Sequence, residues 1–426
     1  MTQIRKSGDS ENGSQGSAAE PGSGVEPGPG VDPKPEVDAD PGSKVRGPLD
    51  GLVVADLSRV LAGPYCTLLL AELGARVIKI ETPGTGDDAR HYGPFISGKS
   101  AYFSSVNRGK ESIALDLKDQ GDLARLHGIL AKADLLVENF RPGTMERLGL
   151  GWDKLHARYP RLIYAAASGF GHTGPYAHHA AYDMVVQGLG GIMSINGNPG
   201  ETAARVGISI GDLGAGLYTT IAVLAALYDR RQSGIARKVD IGMFDCQLAL
   251  LENAIVRYTT TGKVPGPHGA RHPSITPFGA FAAADGEMIV SCGNDALFVR
   301  LAAVLGRPDL ALDPRFATND LRNRHVEEIQ AEIEAVLRQA PRAHWVKLLE
   351  EAGIPCGPIN TVAEAIGHPQ VAARNMLVGI DDPKMGRLTV AGNPLKIEGF
   401  EDRTTRPPAP DLDADRARIL ADFGLT

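Results

Sequence analysis

The chain has 426 residues and a formal net charge of −7, with 43% hydrophobic and 22% charged residues. This length allows two domains with sizeable cores, and the composition is that of an ordinary globular protein. The negative balance argues against nucleic-acid binding, which generally needs a basic face, but it leaves room for a local basic pocket that holds phosphates.

The first 46 residues are mainly Gly, Pro, Ser, Asp and Glu with isolated valines. Such a segment cannot bury enough apolar surface to offset the entropy of ordering, so we predict a disordered tail over residues 1–46. It has neither the apolar stretch of a signal peptide nor the Arg-rich, acid-poor composition of a transit peptide. The apolar stretch after Asp212 is interpreted as too short and too interrupted to cross a bilayer, and we expect a cytoplasmic protein without membrane contact.

Strand and helix patterns alternate between residues 49 and 168. Apolar runs predict strands at 51–57, 75–81, 112–117, 133–139 and 161–168, with helices at 63–73 and 119–131. Gly63-Pro64 suits the start of the first helix, because proline is favoured in a first helical turn. This alternation predicts an α/β fold with a Rossmann-like parallel sheet.

A dinucleotide-binding function is a rival interpretation of this pattern. Glu81 ends the second predicted strand, where such folds carry an acid that binds ribose. The first turn reads SRVLAGPYC, however, and contains no GxGxxG motif. Without those glycines the pyrophosphate cannot approach the helix, so nicotinamide binding is disfavoured.

The most informative segment is residues 180–230, where Asp212 stands among Gly211, Gly214 and Gly216 at the start of a long apolar helix predicted over 213–229. An aspartate in this place is either an N-cap or a nucleophile. The glycines allow another backbone or a ligand to approach closely, and the N–H groups of a first helical turn favour an anion. From the residues alone, the capping interpretation is the commoner one.

The pattern changes after this helix. Residues 232–260 predict a strand and then a helix, and residues 275–293 predict a hairpin with its turn at Asp285-Gly286. Helices predicted at 295–305, 324–338 and 342–352 complete a smaller α+β domain. The four cysteines have no metal-binding spacing, and we expect them to be structural and no metal to be bound: Cys66, Cys246, Cys292 and Cys356.

Several blocks, in this order, resemble the class III coenzyme A transferases, a family that includes formyl-CoA transferase, carnitine CoA-transferase and the α-methylacyl-CoA racemases. The resemblance runs from about Gly47 to the C-terminus. The blocks are PLDGLVVADLSRVLAGPYCTLLLAELGARVIKIE at 48–81, ADLLVENFRPGTMERLGL at 133–150, SGFGHTGPYAHHAAYDMVVQ at 168–187, the G-D-L-G-A-G stretch at 211–216 and GIPCGPINTVAEAIGHPQV at 353–371.

The resemblance implies a domain plan and an assembly. The N-terminal part of the large CoA-binding domain would cover 47–243, a linker helix 244–272, the small α+β domain 273–358, and a segment returning to the large domain 359–426. It also implies an interlocked homodimer. CoA and acyl-CoA would be substrates rather than a bound cofactor, with a small carboxylic acid as the second substrate.

The resemblance makes Asp212 the catalytic nucleophile and places CoA along Arg59-Val60-Leu61, Leu115, Asn139-Phe140 and Arg147. Part of this agrees with the sequence pattern, because Asn139 and Phe140 directly follow a predicted strand, and ligands of open α/β sheets lie at the carboxyl ends of strands. Formyl-CoA-transferase-like members carry an arginine at the position of Thr82, so this chain lacks one basic contact.

Asp183 and Tyr182 decide between branches of the family. Asp183 is expected to help orient the substrate or the nucleophile, with a buried acid bonded to backbone as the alternative. Racemases carry a histidine base at the position of Tyr182, and a tyrosine with a pKa near 10 is a poor base at neutral pH. His178 and His179 are the nearby histidines that could take its place. We therefore predict a transferase, with a racemase or a non-catalytic acyl-CoA-binding protein as alternatives.

One segment, GARHPSITPFGAF at 269–281, bears on the chemical class of the acceptor acid. It resembles members that move CoA between dicarboxylic acids and lacks the glycine-rich insertion of formyl-type members. A dicarboxylate keeps one free carboxylate after thioester formation, and arginine is the best partner for that group. Arg271, and after it Arg205, are available. We predict a succinyl-CoA-type donor with a C4–C6 dicarboxylate acceptor.

Overall fold

The structure is a computed structural model and describes residues 47–426. The predicted tail, residues 1–46, lies outside the described residues. All described residues belong to one compact unit.

Residues 47–242 contain the strands of one large sheet and the helices around it. In chain order the elements are β1 (Val53–Asp56), α1 (Ala62–Glu72), β2 (Arg76–Glu81), β3 (Phe95–Ile96), β4 (Lys99–Ser100), α2 (Ala101–Asn107), β5 (Glu111–Ala114), α3 (Gln120–Leu130), β6 (Leu135–Glu138), α4 (Thr144–Arg147), α5 (Trp152–Arg158), β7 (Ile163–Ser168), α6 (Asp183–Leu189), α7 (Ile192–Ile195), α8 (Ile210–Ser233) and β8 (Lys238–Gly242). A 3₁₀ turn covers Asp88–His91.

The large sheet is parallel, with the order β5-β2-β1-β6-β7-β8, which confirms the predicted α/β fold. The order runs outward from β1 in both directions: β2 and β5 follow on one side, and β6, β7 and β8 on the other. Such a reversal leaves a crevice at the carboxyl ends of the central strands, where open α/β sheets bind their ligands. The loops that follow β1 and β6 meet there.

Apolar side chains cover both faces of this sheet. On one face, Ile78 and Leu126 share a core with Ile419 and Phe423 from the end of the chain. On the other face, Cys66 and Leu70 of α1 pack with Val223 of α8. The sheet is therefore the middle of three layers, and α8 belongs to an outer layer.

Helix α8 begins earlier than predicted, and this changes the position of Asp212. The N-cap is Ser209, so Asp212 is the third residue of the helix, and the capping interpretation is wrong. The predicted shortness of this apolar segment is also wrong, since the 24-residue helix is long and apolar enough to cross a membrane by length and composition alone. It packs against α1, β7 and β8, as the core helix of a globular protein does.

The remaining elements are α9 (Met243–Leu250), α10 (Glu252–Thr261), β9 (Phe278–Ala283), β10 (Gly286–Ser291), α11 (Asp295–Val304), α12 (Asp309–Leu312), α13 (Asn319–Arg324), α14 (Val326–Leu337), α15 (Arg342–Glu351), β11 (Cys356–Pro358), α16 (Val362–Ile366), α17 (Pro369–Ala373), β12 (Leu377–Asp382), β13 (Gly386–Ala391), β14 (Thr405–Arg406) and α18 (Arg416–Phe423). Strands β9, β10 and β11 form an antiparallel sheet with its own apolar core, in which Phe298, Ile329 and Leu349 are buried.

Two local predictions in this region differ from the structure. The hairpin turn is Ala284-Asp285, because Gly286 already pairs with Ala283. The segment 244–272 is not one helix: α9 and α10 are separated at Leu251, α10 ends at Thr261, and Gly262 in the left-handed conformation closes it. Residues 262–272 form a loop that leads to the second sheet.

Candidate active site

The loop after β1 is fixed by buried side chains. Val60 has a φ of 67°, which is unfavourable for a β-branched residue and needs support from its surroundings. Its N–H donates to the Asp87 carboxylate over 3.0 Å, and Lys79 Nζ donates to the Ser58 carbonyl over 2.8 Å. Lys79 and Asp87 are themselves a buried ion pair 2.8 Å apart. The loop therefore has one defined shape.

Asn139 joins this loop to the end of β6. Its side-chain oxygen accepts the Arg59 N–H over 2.8 Å, and its side-chain nitrogen donates to the Arg59 carbonyl over 2.8 Å. Leu61 is buried and directly precedes α1. The structure thus brings the predicted Arg59-Val60-Leu61 and Asn139 together. The Asn139 side chain holds the loop through the backbone of Arg59.

A cavity of about 590 Å³ lies at this crevice. Its lining includes four residues predicted from the sequence, Arg59, Leu115, Phe140 and Arg147. The Arg59 guanidinium lies 5.2 Å from the centroid of the Phe140 ring. The size is that of a typical pocket for a small molecule.

Sequence analysis missed two basic residues of this cavity, Lys79 and Lys118. Lys118 stands just after β5, so the rule that ligands lie at strand ends could have found it. Lys79 lies inside a strand, and no sequence pattern marked it. Thr82 also lines the cavity.

The charged groups below the loop are buried in pairs. Lys110 Nζ contacts Asp56 at 3.1 Å and also donates to the Thr67 hydroxyl at 2.8 Å. Burial by itself would raise the pKa of Asp56, but Lys110 and Lys79 outweigh it and lower that pKa to about 2. These ions compensate one another and support the loop from beneath.

Glu81 takes no part in ligand binding of the dinucleotide type. Arg90 holds its carboxylate by two hydrogen bonds of 2.8 and 2.7 Å, and the Ser112 hydroxyl donates a third of 2.6 Å. The backbone N–H of Asp87 donates a fourth at 3.0 Å. A carboxylate so fully engaged cannot also receive ribose hydroxyls.

Asp212 is half-buried in the first turn of α8. Within residues 47–426 its carboxylate forms no hydrogen bond and no ion pair. Burial first, and then the negative charge of Asp183, raise the pKa of Asp212 from 3.8 to about 7. A half-buried carboxylate with no hydrogen-bonded partner is costly for stability and is typical of a residue in a functional site.

Asp183, by contrast, is buried and fully bonded. One carboxylate oxygen accepts the Gly211 N–H over 2.8 Å, and the other accepts the Gln187 side-chain amide over 2.8 Å. Gln187 in turn accepts the Val206 N–H over 2.9 Å. Asp183 therefore satisfies a free N–H of the α8 first turn and fixes the helix start that carries Asp212.

Gln187 was not identified from the sequence, although it lies four residues after Asp183 on α6, on the same helix face. Tyr102 was missed as well. Burial first, and then the charge of Asp212, raise the pKa of Tyr102 to about 12, so its hydroxyl keeps its proton near Asp212. The rings of Tyr92 and Tyr102 are 5.8 Å apart.

Helix α1, which follows the loop that lines the cavity, packs closely on α8. A Cβ on Gly216 would lie 2.8 Å from the Ala62 carbonyl oxygen, so only glycine lets the two backbones come this close. Ala62 begins α1, directly after the Arg59–Leu61 loop, and Gly216 lies one helical turn beyond Asp212. Helix α1 therefore packs on α8 one turn beyond Asp212.

Other predicted residues are not brought to Asp212 by any described contact. Tyr182 is 75% exposed and precedes α6. His179 stacks on Tyr176 with ring centroids 4.5 Å apart. Arg205 is exposed, and Arg271 pairs through its backbone with Gly279 in the second sheet.

Comparison with known proteins identifies the family of the chain. A family model described as CoA-transferase family III matches residues 49–416. The acetyl-CoA:oxalate CoA-transferase of Acetobacter aceti is 48% identical over 382 residues, covering 89% of this chain and 97% of that protein. The succinyl-CoA–D-citramalate CoA-transferase of Chloroflexus aurantiacus is 39% identical, covering 80% and 85%, and the human succinyl-CoA:glutarate CoA-transferase is 34% identical, covering 85% and 83%.

Solved structures agree with the fold. A CaiB/BaiF family protein from Brucella suis has a TM-score of 0.78 and 38% identity, covering 89% of this chain and all of that one. A hypothetical protein from Mycobacterium tuberculosis has a TM-score of 0.79 and 32% identity, covering 89% and 100%. The chain thus belongs to CoA-transferase family III, and it is a CoA-transferase.

Proposed function

We propose that the protein moves CoA from an acyl-CoA to a dicarboxylic acid through covalent intermediates on Asp212. The observation that carries this proposal is the half-buried Asp212 carboxylate, which has no hydrogen bond or ion pair within the described chain and stands in the first turn of α8, the helix that packs on α1. A carboxylate held only for structure would be paired or capped, as Asp183 is.

The reaction needs only carboxylate and thiolate chemistry. An Asp212 oxygen attacks the thioester carbonyl and the C–S bond breaks. This step releases the CoA thiolate and forms an acyl-aspartyl anhydride. The thiolate attacks the aspartyl carbonyl and releases the donor acid. The acceptor carboxylate then attacks the resulting aspartyl-CoA thioester and expels the thiolate again. The thiolate finally attacks the acceptor-derived carbonyl of the new anhydride, which forms the new acyl-CoA and frees Asp212.

The environment of Asp212 suits the first step. Poor solvation raises the free energy of its ionised form, and such a carboxylate is a stronger nucleophile than one stabilised by hydrogen bonds. The protonated Tyr102 hydroxyl nearby is a donor that could support a developing oxyanion. The bonds from Asp183 to Gly211 and Gln187 keep the start of α8 in place during the reaction.

Racemisation has less support. It needs a base opposite Asp212, and the position before Asp183 holds Tyr182, which is mostly exposed. His179 is engaged with the Tyr176 ring, and no described contact places it at Asp212. Transfer through Asp212 requires no second base.

The acceptor class follows from the named acceptors of related enzymes: oxalate, D-citramalate and glutarate are all dicarboxylic acids. The segment 269–281 favours a succinyl-type donor and a C4–C6 acceptor. The resemblance to the Acetobacter aceti enzyme favours acetyl-CoA and oxalate as a second candidate pair.

The test is an exchange assay by mass spectrometry with acetyl-CoA or succinyl-CoA as donor. The acceptors are oxalate, succinate and glutarate, with formate and butyrate as monocarboxylates. We expect new dicarboxylyl-CoA with the wild type and none with Asp212→Asn. A preference for monocarboxylates would contradict the acceptor class. Deuterium incorporation at the α-carbon without exchange would show a racemase.

We also propose that the protein works as a homodimer. The outer face of α8 exposes Leu217, Ile221 and Tyr228, and α10 adds Val256 and Tyr258. Exposed large apolar side chains of this kind are typical of a protein–protein interface.

A further inference from the structure

Three basic residues meet at the loop that follows α10. Arg257 lies on α10, and a guanidinium nitrogen approaches His268 Nε2 to 3.3 Å. The Arg271 N–H donates to the His268 carbonyl over 3.3 Å, so a tight turn joins the two. All three side chains are half-buried. We call them the basic cluster.

No carboxylate of residues 47–426 forms an ion pair with Arg257 or Arg271. Other half-buried arginines, such as Arg90 and Arg230, are paired with acids at 2.7 and 2.8 Å. Uncompensated, partly buried guanidinium groups are costly unless an anion from outside completes them.

The protonation of His268 fits such a role. Burial first, and then the charges of Arg257 and Arg271, lower the pKa of His268. The ring is therefore neutral near pH 7, and because a guanidinium can only donate, Nε2 accepts from Arg257. An anion bound at the cluster would offset the two arginines and favour proton uptake by His268.

Backbone contacts tie the basic cluster to the loop before Asp212. The Gly269 N–H donates to the Gly197 carbonyl over 2.9 Å, and the neighbouring Asn196 amide donates to the Arg205 carbonyl over 3.1 Å. The next residue, Val206, is held by Gln187, which also holds Asp183. A chain of hydrogen bonds therefore links the loop of the cluster to Gln187 and Asp183, which hold the start of α8.

We propose that Arg257, His268 and Arg271 form one subsite that binds the second carboxylate of the acceptor acid. This inference rests on the proposed function, in which the acceptor is a dicarboxylate. The phosphates of CoA do not need this cluster, because Arg59, Lys118 and Arg147 already line the cavity at the sheet crevice. Of the three residues, only Arg271 could be suspected from the sequence segment.

The test compares Arg257→Gln and Arg271→Gln with Arg300→Gln, an exposed arginine of α11 that has no ion pair in the described chain. Each variant is assayed with one donor and two acceptors of equal chain length, glutarate and pentanoate. We expect the KM for glutarate to rise at least tenfold in the first two variants, while the KM for pentanoate and for acyl-CoA stays within twofold. Arg300→Gln should match the wild type.

The proton uptake that accompanies glutarate binding can also be measured, and it would not change if His268 had only a structural role. Calorimetry of glutarate binding in two buffers of different ionisation heat should show proton uptake by the wild type and none by His268→Gln. Three results in the arginine variants would overturn the subsite: equal increases of the KM for glutarate and for pentanoate, an increase of the KM for acyl-CoA, or an altered oligomeric state without a change in KM. If the wild type does not prefer glutarate to pentanoate, both the proposed acceptor class and the subsite are overturned. If the wild type prefers glutarate and the two arginine variants keep that preference, the subsite alone is overturned.

Discussion

At the scale of single residues, Asp212 combines a catalytic advantage with a cost in stability. A protonated carboxyl is not a nucleophile, and the pKa of Asp212 is about 7 because of burial and Asp183. We predict that kcat/KM falls about tenfold per pH unit below pH 7 and is constant above it. A profile that stays flat down to pH 5 would show that Asp212 is ionised in the working enzyme at much lower pH.

The same shift predicts a pH-dependent stability. Between 3.8 and about 7 the folded protein keeps a proton on Asp212 that the unfolded chain has released, so its contribution to stability falls as the pH rises. Asp212→Asn should therefore raise the free energy of unfolding at pH 8 by on the order of a few kcal/mol at most, and the Tm should rise with it. At pH 4.5 the same substitution should change the Tm little. Thermal melts at both pH values check this, and a variant less stable than wild type at pH 8 would contradict it.

Asp183 needs two acceptor oxygens, because both of its partners, Gly211 N–H and the Gln187 amide, are donors. Asparagine would offer one acceptor and one donor, and Gln187 cannot turn over since Val206 holds its oxygen. We predict that Asp183→Asn lowers kcat by about tenfold or more, as expected for a displaced nucleophile.

The pH profile separates this role from a general loss of stability. The Asp183→Asn variant would lack the negative charge that raises the pKa of Asp212, so the acid limb should move to lower pH. Asp153→Asn, which removes an exposed acid from the first turn of α5, is the control. If Asp183→Asn changes neither kcat nor the low-pH side of the pH–rate profile, Asp183 does not position Asp212.

Sequence reasoning found the residues that stand at strand ends or in recognisable blocks, such as Arg59, Phe140, Asp183 and Asp212. It missed Lys79, Tyr102 and Gln187, whose importance depends on partners far away in the chain. Lys79 supports the Ser58 carbonyl, and Gln187 accepts the Val206 N–H. Nothing local in the sequence marks a side chain whose role is to hold another segment.

At the scale of elements, the contact between α1 and α8 joins the loop that lines the cavity to the helix that carries Asp212. A Cβ at position 216 would lie 2.8 Å from the rigid Ala62 carbonyl, whereas a Cβ at 214 would lie 3.3 Å from the movable end of Leu250. We predict that Gly216→Ala costs about 1–3 kcal/mol of unfolding free energy through overpacking. Gly214→Ala should be neutral or stabilising by up to about 1 kcal/mol, because alanine favours the helix.

Denaturant unfolding of both variants measures this difference. Equal stabilities of Gly216→Ala and Gly214→Ala would contradict the close approach of the two helices. Activity should follow the same order, since separation of α1 from α8 moves the Arg59 loop away from Asp212.

Element types were predictable, but some boundaries were not. Strand β2 and helices α1, α3 and α15 start or end within a residue or two of their predicted limits because hydrophobic periodicity and terminal signals coincide there. The start of α8 was misplaced because its first turn is bonded by Asp183, from a different helix. The linker over 244–272 was expected as one helix from the family resemblance. The sequence does not reveal the separation at Leu251, whereas Gly262, Pro265 and Pro267 do mark the end of α10.

At the scale of the whole molecule, the sheet order explains where the cavity lies. Chain reversal around β1 leaves the crevice, the loops after β1 and β6 line it, and α1 leads from the crevice to α8. The exposed apolar face of α8 is the outer side of the same element. The proposed nucleophile and the proposed dimer face therefore lie on one helix.

We predict that the wild type is a dimer at micromolar concentration and that Ile221→Asp, on this face, dissociates it. Ile221 is 61% exposed in the single chain. Val299→Asp is the control, because Val299 is 54% exposed on α11, away from that helix face. Sedimentation equilibrium measures the mass of each. A monomeric wild type, or equal dissociation of both variants, would contradict a dimer interface on α8.

The central claim, that Asp212 carries the covalent intermediate, is tested most directly by trapping. The wild type is incubated with acyl-CoA and hydroxylamine, and the digested peptides are analysed by mass spectrometry. We predict a hydroxamate on Asp212 that forms only when acyl-CoA is present, with none on an exposed carboxylate such as Asp153. A hydroxamate on another carboxylate, or full turnover by Asp212→Ala, would contradict the account.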